Sequence, residues 1–592
     1  MSIGPTRALL LFAAMAFLLY GTALKNPFHY DDLHSIRYNP HIRSLENVPQ
    51  FFTDLHTFSS ERSGTMFRPL LLCSYALNYA LHGEDVVGYR LFNLVLHILC
   101  AYLVWSLVRH AGGNALMALV AGSFFLLHPL VAEPVNYVSS RSDMLMAVCI
   151  LAAVRFFGGA EGRRLWGLLI LFTAGLLVKS VAIVLPALCL LSLRGTWKEA
   201  WRNYLGRFAA MAALALVYLG LIVSNRFLPS SIAKAPRAFD ANMLSQAKAY
   251  VYSVWLYVMP VHLNVDHPFV AARSLWEPQV LCSVLFLLSL LTFFTRLHRS
   301  WVGMGGLWFF VALMPYALIP LNIMVSERRM YLAGVGFALL SAFVGIRFFE
   351  RQRYSAIAVG VVVVTLFFGI AAQRNSVWSS DIRLWEDAVS VSEAQPRARV
   401  NLALAYSRDK RWDDAREQLR QALDVDSGFA DAWVELGNIE HRSGALAAAE
   451  TAYLRALDSQ PSLAGGHYNL GNIHMAKGEH TQAVARYAMA LDLNPNFAMA
   501  HNNIGQAYEA LEQRSEAFTH YTIALDIDPD QPQAWFNMAA ILERRGQTEE
   551  AGRAYKRAYE LLRRATGYAQ NTQFQQYAER AIENARRLGI GE

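Results

Sequence analysis

Up to about residue 372 the chain runs in long apolar stretches separated by short charged clusters, and from about 396 onward it is polar, Ala-rich and periodic. The change of pattern places a domain boundary near 375–395. A bilayer-spanning helix needs about 20 mostly apolar residues, because every backbone amide must be bonded internally where water is absent. Eleven stretches answer to this, near 7–24, 89–108, 115–129, 143–158, 165–178, 180–193, 207–224, 276–295, 302–320, 330–346 and 354–372. The first half therefore predicts a polytopic, all-α membrane body of about 11 transmembrane helices.

The second half repeats. Pro461, Pro495 and Pro529 are 34 residues apart, as are Gly437, Gly471 and Gly505, and each proline follows its glycine by 24 residues. Trp433, Leu436, Gly437, Ala449, Tyr453, Ala456 and Pro461 occupy the consensus places of a tetratricopeptide repeat, with Tyr487 and Tyr521 at the aromatic place in the next two. Small residues let paired helices approach, the aromatic plugs the gap, and the proline ends the second helix. The expected organisation is a membrane unit over 1–375, a connecting helix or linker over 376–395, an α-solenoid of about five repeats over 396–565 and a capping helix over 566–592. The groove of such a solenoid ordinarily binds peptide segments, and Asn438, Asn472 and Gln506 on the first helices are the acceptor-binding candidates. A spacer or dimerisation module is the alternative.

Charge sets the orientation. With the N-terminus cytoplasmic, alternate loops carry Arg109, Arg163/Arg164, Arg194/Lys198/Arg202/Arg207, Arg296/Arg299 and Arg347/Arg351/Arg353, as the retention of basic residues on that side requires. The opposite short loops carry Arg141, Lys179 and the pair Arg328/Arg329, which asks for a reason other than topology. An odd number of crossings places the repeats outside the cytoplasm. The Gly21-Thr22-Ala23 box after Arg7 resembles a signal-peptidase site, but the run matches the other spans and a retained helix is expected. A composition of 54% hydrophobic and 17% charged residues fits this body, and the net +7 comes without basic blocks interleaved with aromatics, which argues against nucleic acid. All five cysteines lie in apolar stretches, and no zinc-ligand spacing, Gly-rich phosphate loop or Ser/His/Asp order stands out, so no metal ligands are assigned and a divalent cation is left open.

Ionisable groups beside membrane helices are functional candidates by default. Four clusters fall on the predicted non-cytoplasmic side: Asn26 to Asp32; His128 to Glu133, continuing to Arg141 and Asp143; Asn264 to Pro268 after a Tyr- and Trp-rich amphipathic stretch; and Ser326 to Tyr331. Each has a plainer reading: a solvated acidic loop for the first, and pairing of Arg328 with Glu327 at the interface for the last. Their common side suggests one site.

At these residues the chain resembles a known family. Tyr30-Asp31-Asp32, Arg68-Pro69-Leu70 leading to Leu77-Asn78-Tyr79, His128-Pro129 with Glu133 running to Arg141-Ser142-Asp143, and Ser326-Glu327-Arg328-Arg329-Met330-Tyr331-Leu332 look like the landmarks of the transmembrane and tetratricopeptide-repeat-containing protein O-mannosyltransferases and their bacterial relatives. The resemblance implies the polytopic type C glycosyltransferase fold and a lipid-phosphate sugar as donor. It implies Asp31 or Asp32 as the general base or acceptor-positioning acid, Arg141, Arg328 and Arg329 as partners of the polyprenyl phosphate, and His128 and Glu133 as loop-holding or sugar-contacting residues. It also implies a mannose-like sugar and a protein acceptor, but about five repeats instead of a longer array and a bacterial-looking composition depart from the best-known members and leave sugar and acceptor open; a bacterial version is expected to use an undecaprenyl-phosphate sugar in the inner membrane, with a periplasmic array. The competing readings are a membrane-anchored scaffold for envelope or secretion complexes and a lipid-linked oligosaccharide ligase. The ligase should show a large late external loop, and here those loops are short apart from 225–275. Convergence of the four clusters on one pocket separates a transferase from a scaffold.

Overall fold

The computed structural model describes residues 4–60, 66–157, 162–193, 197–224, 237–320, 323–564 and 572–590. It divides into two compact units, Met1–Glu393 and Ala394–Glu592. Among the described residues, helices and turns account for the regular structure, with no strand.

The first unit comprises α1 (Pro5–Tyr20), α2 (Pro69–His82), α3 (Val86–His110), α4 (Ala115–Leu127), α5 (Ala132–Asn136), α6 (Arg141–Phe157), α7 (Gly162–Val178), α8 (Leu185–Ser192), α9 (Trp197–Ser224), α10 (Phe239–Val258), α11 (Pro278–Arg296), α12 (Trp301–Leu318), α13 (Ala333–Arg351), α14 (Arg353–Val377) and α15 (Asp381–Val391). Among the described residues, seven helices are long and apolar enough to cross a bilayer: those at Pro5–Lys25, Val86–His110, Arg202–Ser224, Pro278–Arg296, Trp301–Leu318, Ala333–Arg351 and Arg353–Val377. The pair Ala115–Leu127 and Pro129–Asn136, bent by 54°, makes an eighth if counted as one span. The expected eleven is thus too many by that measure. The shortfall is at 143–158, 165–178 and 180–193, where α6 and α7 have 17 residues each and α8 has eight. Helix α6 is largely buried and opens on Arg141, Ser142 and Asp143, and a helix sheathed by its neighbours need not be apolar throughout.

Close approach of α12 and α13 sets the turn between them. A Cβ on Gly305 would stand 2.5 Å from the Gly336 carbonyl oxygen, so only glycine permits this crossing. The segment after α12 is then tied down from several sides. Trp308 donates its indole N–H to the Leu332 carbonyl (3.0 Å), Tyr257 its hydroxyl to the Met330 carbonyl (2.6 Å), and the Tyr331 hydroxyl meets His97 Nδ1 at 2.8 Å. These bonds fix Ser326–Leu332.

The second unit is a stack of helix pairs: α16 (Pro396–Arg408) with α17 (Trp412–Val425), α18 (Ala430–Arg442) with α19 (Leu446–Ser459), α20 (Ala464–Ala476) with α21 (His480–Leu493), α22 (Ala498–Ala510) with α23 (Arg514–Ile527), and α24 (Pro532–Arg544) with α25 (Thr548–Arg564). A final helix, α26 (Thr572–Arg587), packs on α25. Residues 565–571, where the capping helix was expected to begin, lie outside the described residues, but Ala581 is buried and Tyr577 meets the Phe536 ring at 4.8 Å. The spacing of glycine and tyrosine has a steric cause: a Cβ on Gly437 would fall 2.5 Å from the Tyr453 ring, and the same clash arises between Gly505 and Tyr521.

Candidate active site

The four polar clusters meet in the first unit. Asn26 donates to the Asn375 carbonyl (3.0 Å) and to Asn136 Oδ1 (3.3 Å), joining the first cluster to the second. Arg90, buried inside α3, donates from Nε to the Asn26 carbonyl at 2.8 Å and also to the carbonyls of Pro27 and Asn136. These caged backbones carry Tyr30, a non-glycine residue at φ 46°, in the left-handed region that a side chain occupies at a cost. The neighbouring carboxyls Asp31 and Asp32 consequently point to different surroundings.

Asp32 is fully buried and accepts from the Ser139 N–H (2.7 Å), the Ser139 hydroxyl (2.6 Å), the Val138 N–H (3.3 Å) and the His29 N–H (3.2 Å). Burial pushes its carboxyl above the usual range, with these donors pulling the other way. Asp31 keeps a third of its side chain exposed, 3.5 Å from an Arg328 guanidinium nitrogen and 3.6 Å from His34 Nε2. Burial tends to raise its carboxyl, but His34, Arg328 and Tyr137 together outweigh it and hold the group at about 2.

Arg328 is the hub of the arrangement. Its main-chain N–H donates to Glu133 Oε2 (3.2 Å), its Nε lies 4.0 Å from Glu133 Oε1, and its guanidinium sits 5.1 Å from the Tyr137 ring centroid. The preceding residue, Glu327, is buried and accepts the Asn264 N–H (2.6 Å), with His267 Nε2 at 3.2 Å from the same oxygen. The third cluster thereby supports the fourth.

Beside this hub lies a second group of charges. Lys179 Nζ is 2.6 Å from Asp143 Oδ1, which also accepts the Tyr316 hydroxyl at 3.3 Å. The Tyr316 ring has Lys179 Nζ 5.6 Å from its centroid and the Arg329 guanidinium 5.8 Å from it. Arg68, at the start of α2, has Asp143 as its strongest electrostatic attraction, opposed by Arg328. Arg329, which also donates to the Ile323 carbonyl (2.5 Å), is lowered to about 10 by burial and then by its neighbour Arg328. With Arg328 matched by Asp31 and Glu133, the cations Arg68, Lys179 and Arg329 surround the single carboxylate Asp143. Such a surplus of cations suits a bound anion.

Two residues expected at the donor are placed elsewhere. Arg141 is wholly buried, donating to Asn93 Oδ1 (2.9 Å), the Ser74 carbonyl (3.2 Å) and hydroxyl (3.3 Å) and the Tyr89 carbonyl (3.0 Å), among the rings of Tyr75, Tyr89 and Phe92. It staples α2, α3 and α6, and its guanidinium is engaged by protein acceptors at all three nitrogens. His128 meets the Tyr257 carbonyl through Nε2 (3.1 Å) and accepts the Leu130 N–H at Nδ1 (3.3 Å), holding the break after α4. In the repeats, Asn438 Oδ1 accepts from Tyr453 (2.8 Å) and Asn469 (3.3 Å), and Asn472 Oδ1 from Tyr487 (2.7 Å) and Asn503 (2.9 Å). Gln506 breaks the row, since the Tyr521 hydroxyl turns to Glu509 instead (2.8 Å). These amides join neighbouring repeats.

Models of tetratricopeptide repeats match residues 383–464, 499–531 and 520–553, and one described as TPR repeat matches 471–512. Over both halves the chain is similar to protein O-mannosyl-transferase F38B6.6 of Caenorhabditis elegans, at 25% identity across 72% of this chain and 63% of the relative. Tmtc1 of Drosophila melanogaster, another protein O-mannosyl-transferase, is 24% identical across 72% of this chain and 62% of its own length. Human protein O-mannosyl-transferase TMTC1 is 24% identical across 74% and 57%. The chain is a homologue of these protein O-mannosyl-transferases. It spans about three-fifths of the length of the curated relatives it matches. The match takes in parts of both the apolar first half and the tetratricopeptide repeats of this chain.

Relative to this homologue of the mannosyl-transferases as read from sequence, the structure adds Arg68, Lys179, Tyr137, Tyr316 and Arg90 to the site's surroundings. Lys179 carried a signal, a basic residue on the side where basic residues are not retained, and Arg68 stood in one of the family-like motifs. Arg90 carried another, a cation within an apolar run. Tyr137 and Tyr316 carried none.

Proposed function

We propose that the chain is a membrane protein O-glycosyltransferase that moves one mannose-like sugar from a polyprenyl phosphate to a Ser or Thr hydroxyl on the non-cytoplasmic side. The observation that carries this reading is the meeting of all four polar clusters around Asp31 and Arg328, a convergence for which a scaffold has no use. The names of the homologues point the same way.

In this reading Asp31 is the general base and Asp32 the residue that seats its loop. At rest Asp31 is a weak base, because His34, Arg328 and Tyr137 together outweigh its burial and hold the carboxyl at about 2. An anion arriving near Arg328, Arg329, Arg68 and Lys179 draws Arg328 toward itself, and the carboxylate of Asp31 gains basicity as that cation withdraws. The acceptor hydroxyl gives its proton to Asp31, its oxygen bonds to the anomeric carbon, and the bond from that carbon to the phosphate oxygen breaks. The cations then hold the departing polyprenyl phosphate, a stabilisation that grows where water is excluded. The repeats hold the protein acceptor, with Asn438 and Asn472 fixing the spacing of the surface. For a bacterial chain this is the inner membrane, with the N-terminus cytoplasmic and the array periplasmic.

Purified full-length protein in nanodiscs, given polyprenyl-phosphate hexoses and a Ser/Thr peptide library, should yield hexose-modified peptides by mass spectrometry. Equal yields from the parent and Asp31→Asn would refute the assignment. Orientation is read by labelling Ser459→Cys, in a background lacking the native cysteines, with an impermeant maleimide added from either side.

A further inference from the structure

Helix α15, which follows the last apolar helix and precedes the repeats, reaches both sides of the Asp31–Arg328 pair. On one side His29 Nδ1 lies 2.6 Å from Asp381 Oδ1 and its Nε2 lies 2.8 Å from the Trp378 carbonyl, so the residue two before Asp31 is tied to the start of α15. The Tyr30 ring meets the Trp385 ring at 5.9 Å, which braces the left-handed residue directly before Asp31. On the other side Asn264 Nδ2 donates to Ser392 Oγ (2.9 Å) and to the Ala388 carbonyl (3.2 Å), while the Asn264 N–H holds Glu327, the residue before Arg328. Arg374 and Asp387, 2.5 Å apart, pin α15 to the end of α14. One eleven-residue helix thus closes a circuit of bonds that passes through both members of the pair.

The same helix is repeat-like in sequence. The tetratricopeptide match that covers the first repeats begins at residue 383, inside α15, and four residues separate the end of α15 from Pro396 of α16.

We infer that α15 is a strap that positions Asp31 and Arg328 against each other, with His29, Asp381, Asn264 and Ser392 as its positioning residues. This rests on the transferase reading for its consequence in turnover, but not for the strap itself. Loosening either attachment lets one member of the pair drift, and a base misplaced by about 1 Å loses much of its effect.

The test uses the full chain in nanodiscs with the single variants Asp381→Asn and Ser392→Ala, read by hydrogen–deuterium exchange. Losing the charge-assisted bond of Asp381 should speed exchange about 10- to 100-fold at the segment it holds, and losing the neutral bond of Ser392 about 3- to 10-fold. Asp381→Asn should act on 28–34 and Ser392→Ala on 262–268 and 326–330, with exchange in the rest of the unit unchanged. Faster exchange confined to 378–392 in both variants overturns the strap. In the transfer assay Asp381→Asn should lower kcat at least about tenfold with KM for the polyprenyl-phosphate hexose within about twofold, and Asp381→Glu should recover part of it. An unchanged kcat in an active parent overturns the positioning role. A parent that transfers no sugar refutes the transferase reading, and the exchange data still decide the strap.

Discussion

Asp32 takes both the main-chain N–H and the hydroxyl of Ser139, at 2.7 and 2.6 Å, and so locks the loop after α1 to the turn before α6. Its neighbour Asp31 turns the other way, toward Arg328 and the open side. The consecutive acids therefore have different surroundings, and in the proposed transferase Asp32 holds while Asp31 reacts.

That division predicts different losses. Asp32→Asn cannot accept from all four of its present donors and should lower stability by about 1–3 kcal/mol, seen as a drop in Tm in detergent. Asp31→Asn should melt within about 1 kcal/mol of the parent, since its ion pair is part-exposed, yet lose about 10²–10⁴ in turnover. If Asp32→Asn folds normally and loses more turnover than Asp31→Asn, the roles are reversed.

Arg328 sets the pH response of Asp31. With its carboxyl held at about 2, below the ordinary range, the group's contribution to stability is present above about pH 4 and is lost as pH falls toward 2. In Arg328→Met the burial that raises this carboxyl loses its principal charged opponent, so the acid limb of kcat/KM should move to higher pH. A limb at the same pH in parent and variant would show that Asp31 does not titrate in the profile.

Arg141 should behave as a structural cation. Arg141→Met leaves the Asn93, Ser74 and Tyr89 acceptors without their donor, and a loss of about 3 kcal/mol or more in unfolding free energy is expected. Donor affinity of whatever folds should match the parent, as measured by calorimetry with a polyprenyl-phosphate hexose.

In the repeats, Gly505→Ala drives a methyl into the Tyr521 ring and should cost about 1–3 kcal/mol, lowering the melting point of the array. Pairing it with Tyr521→Leu should recover part of the loss; no recovery would place the strain elsewhere.

Much of this was legible in advance because two periodicities dominate the chain. Apolar runs pointed to a helical membrane body, and the 34-residue period from Gly437 to Pro529 to tetratricopeptide repeats. Span length was less legible at α6 to α8, where burial by neighbours relaxes the demand for apolar residues. At the site, charge on the unexpected side singled out Arg328 and Arg329 but also Arg141, and sequence cannot tell a cation facing a cleft from one spent on carbonyls. His128, read as loop-holding or sugar-contacting, sits at a helix break through the Tyr257 carbonyl and the Leu130 N–H. The partition between Asp31 and Asp32 depends on Tyr30's left-handed backbone, which no side-chain pattern announces.

The amides that cross from repeat to repeat have an evolutionary reading. Asn469 and Asn503 each bond the asparagine 31 positions earlier, and Asn537 the one 35 positions earlier. A duplicated block of 34 residues would bring its own donor and its own acceptor, and both new seams would close without further change. The array can lengthen or shorten by whole units while the membrane body stays as it is, so related chains are free to differ in reach before they differ in chemistry.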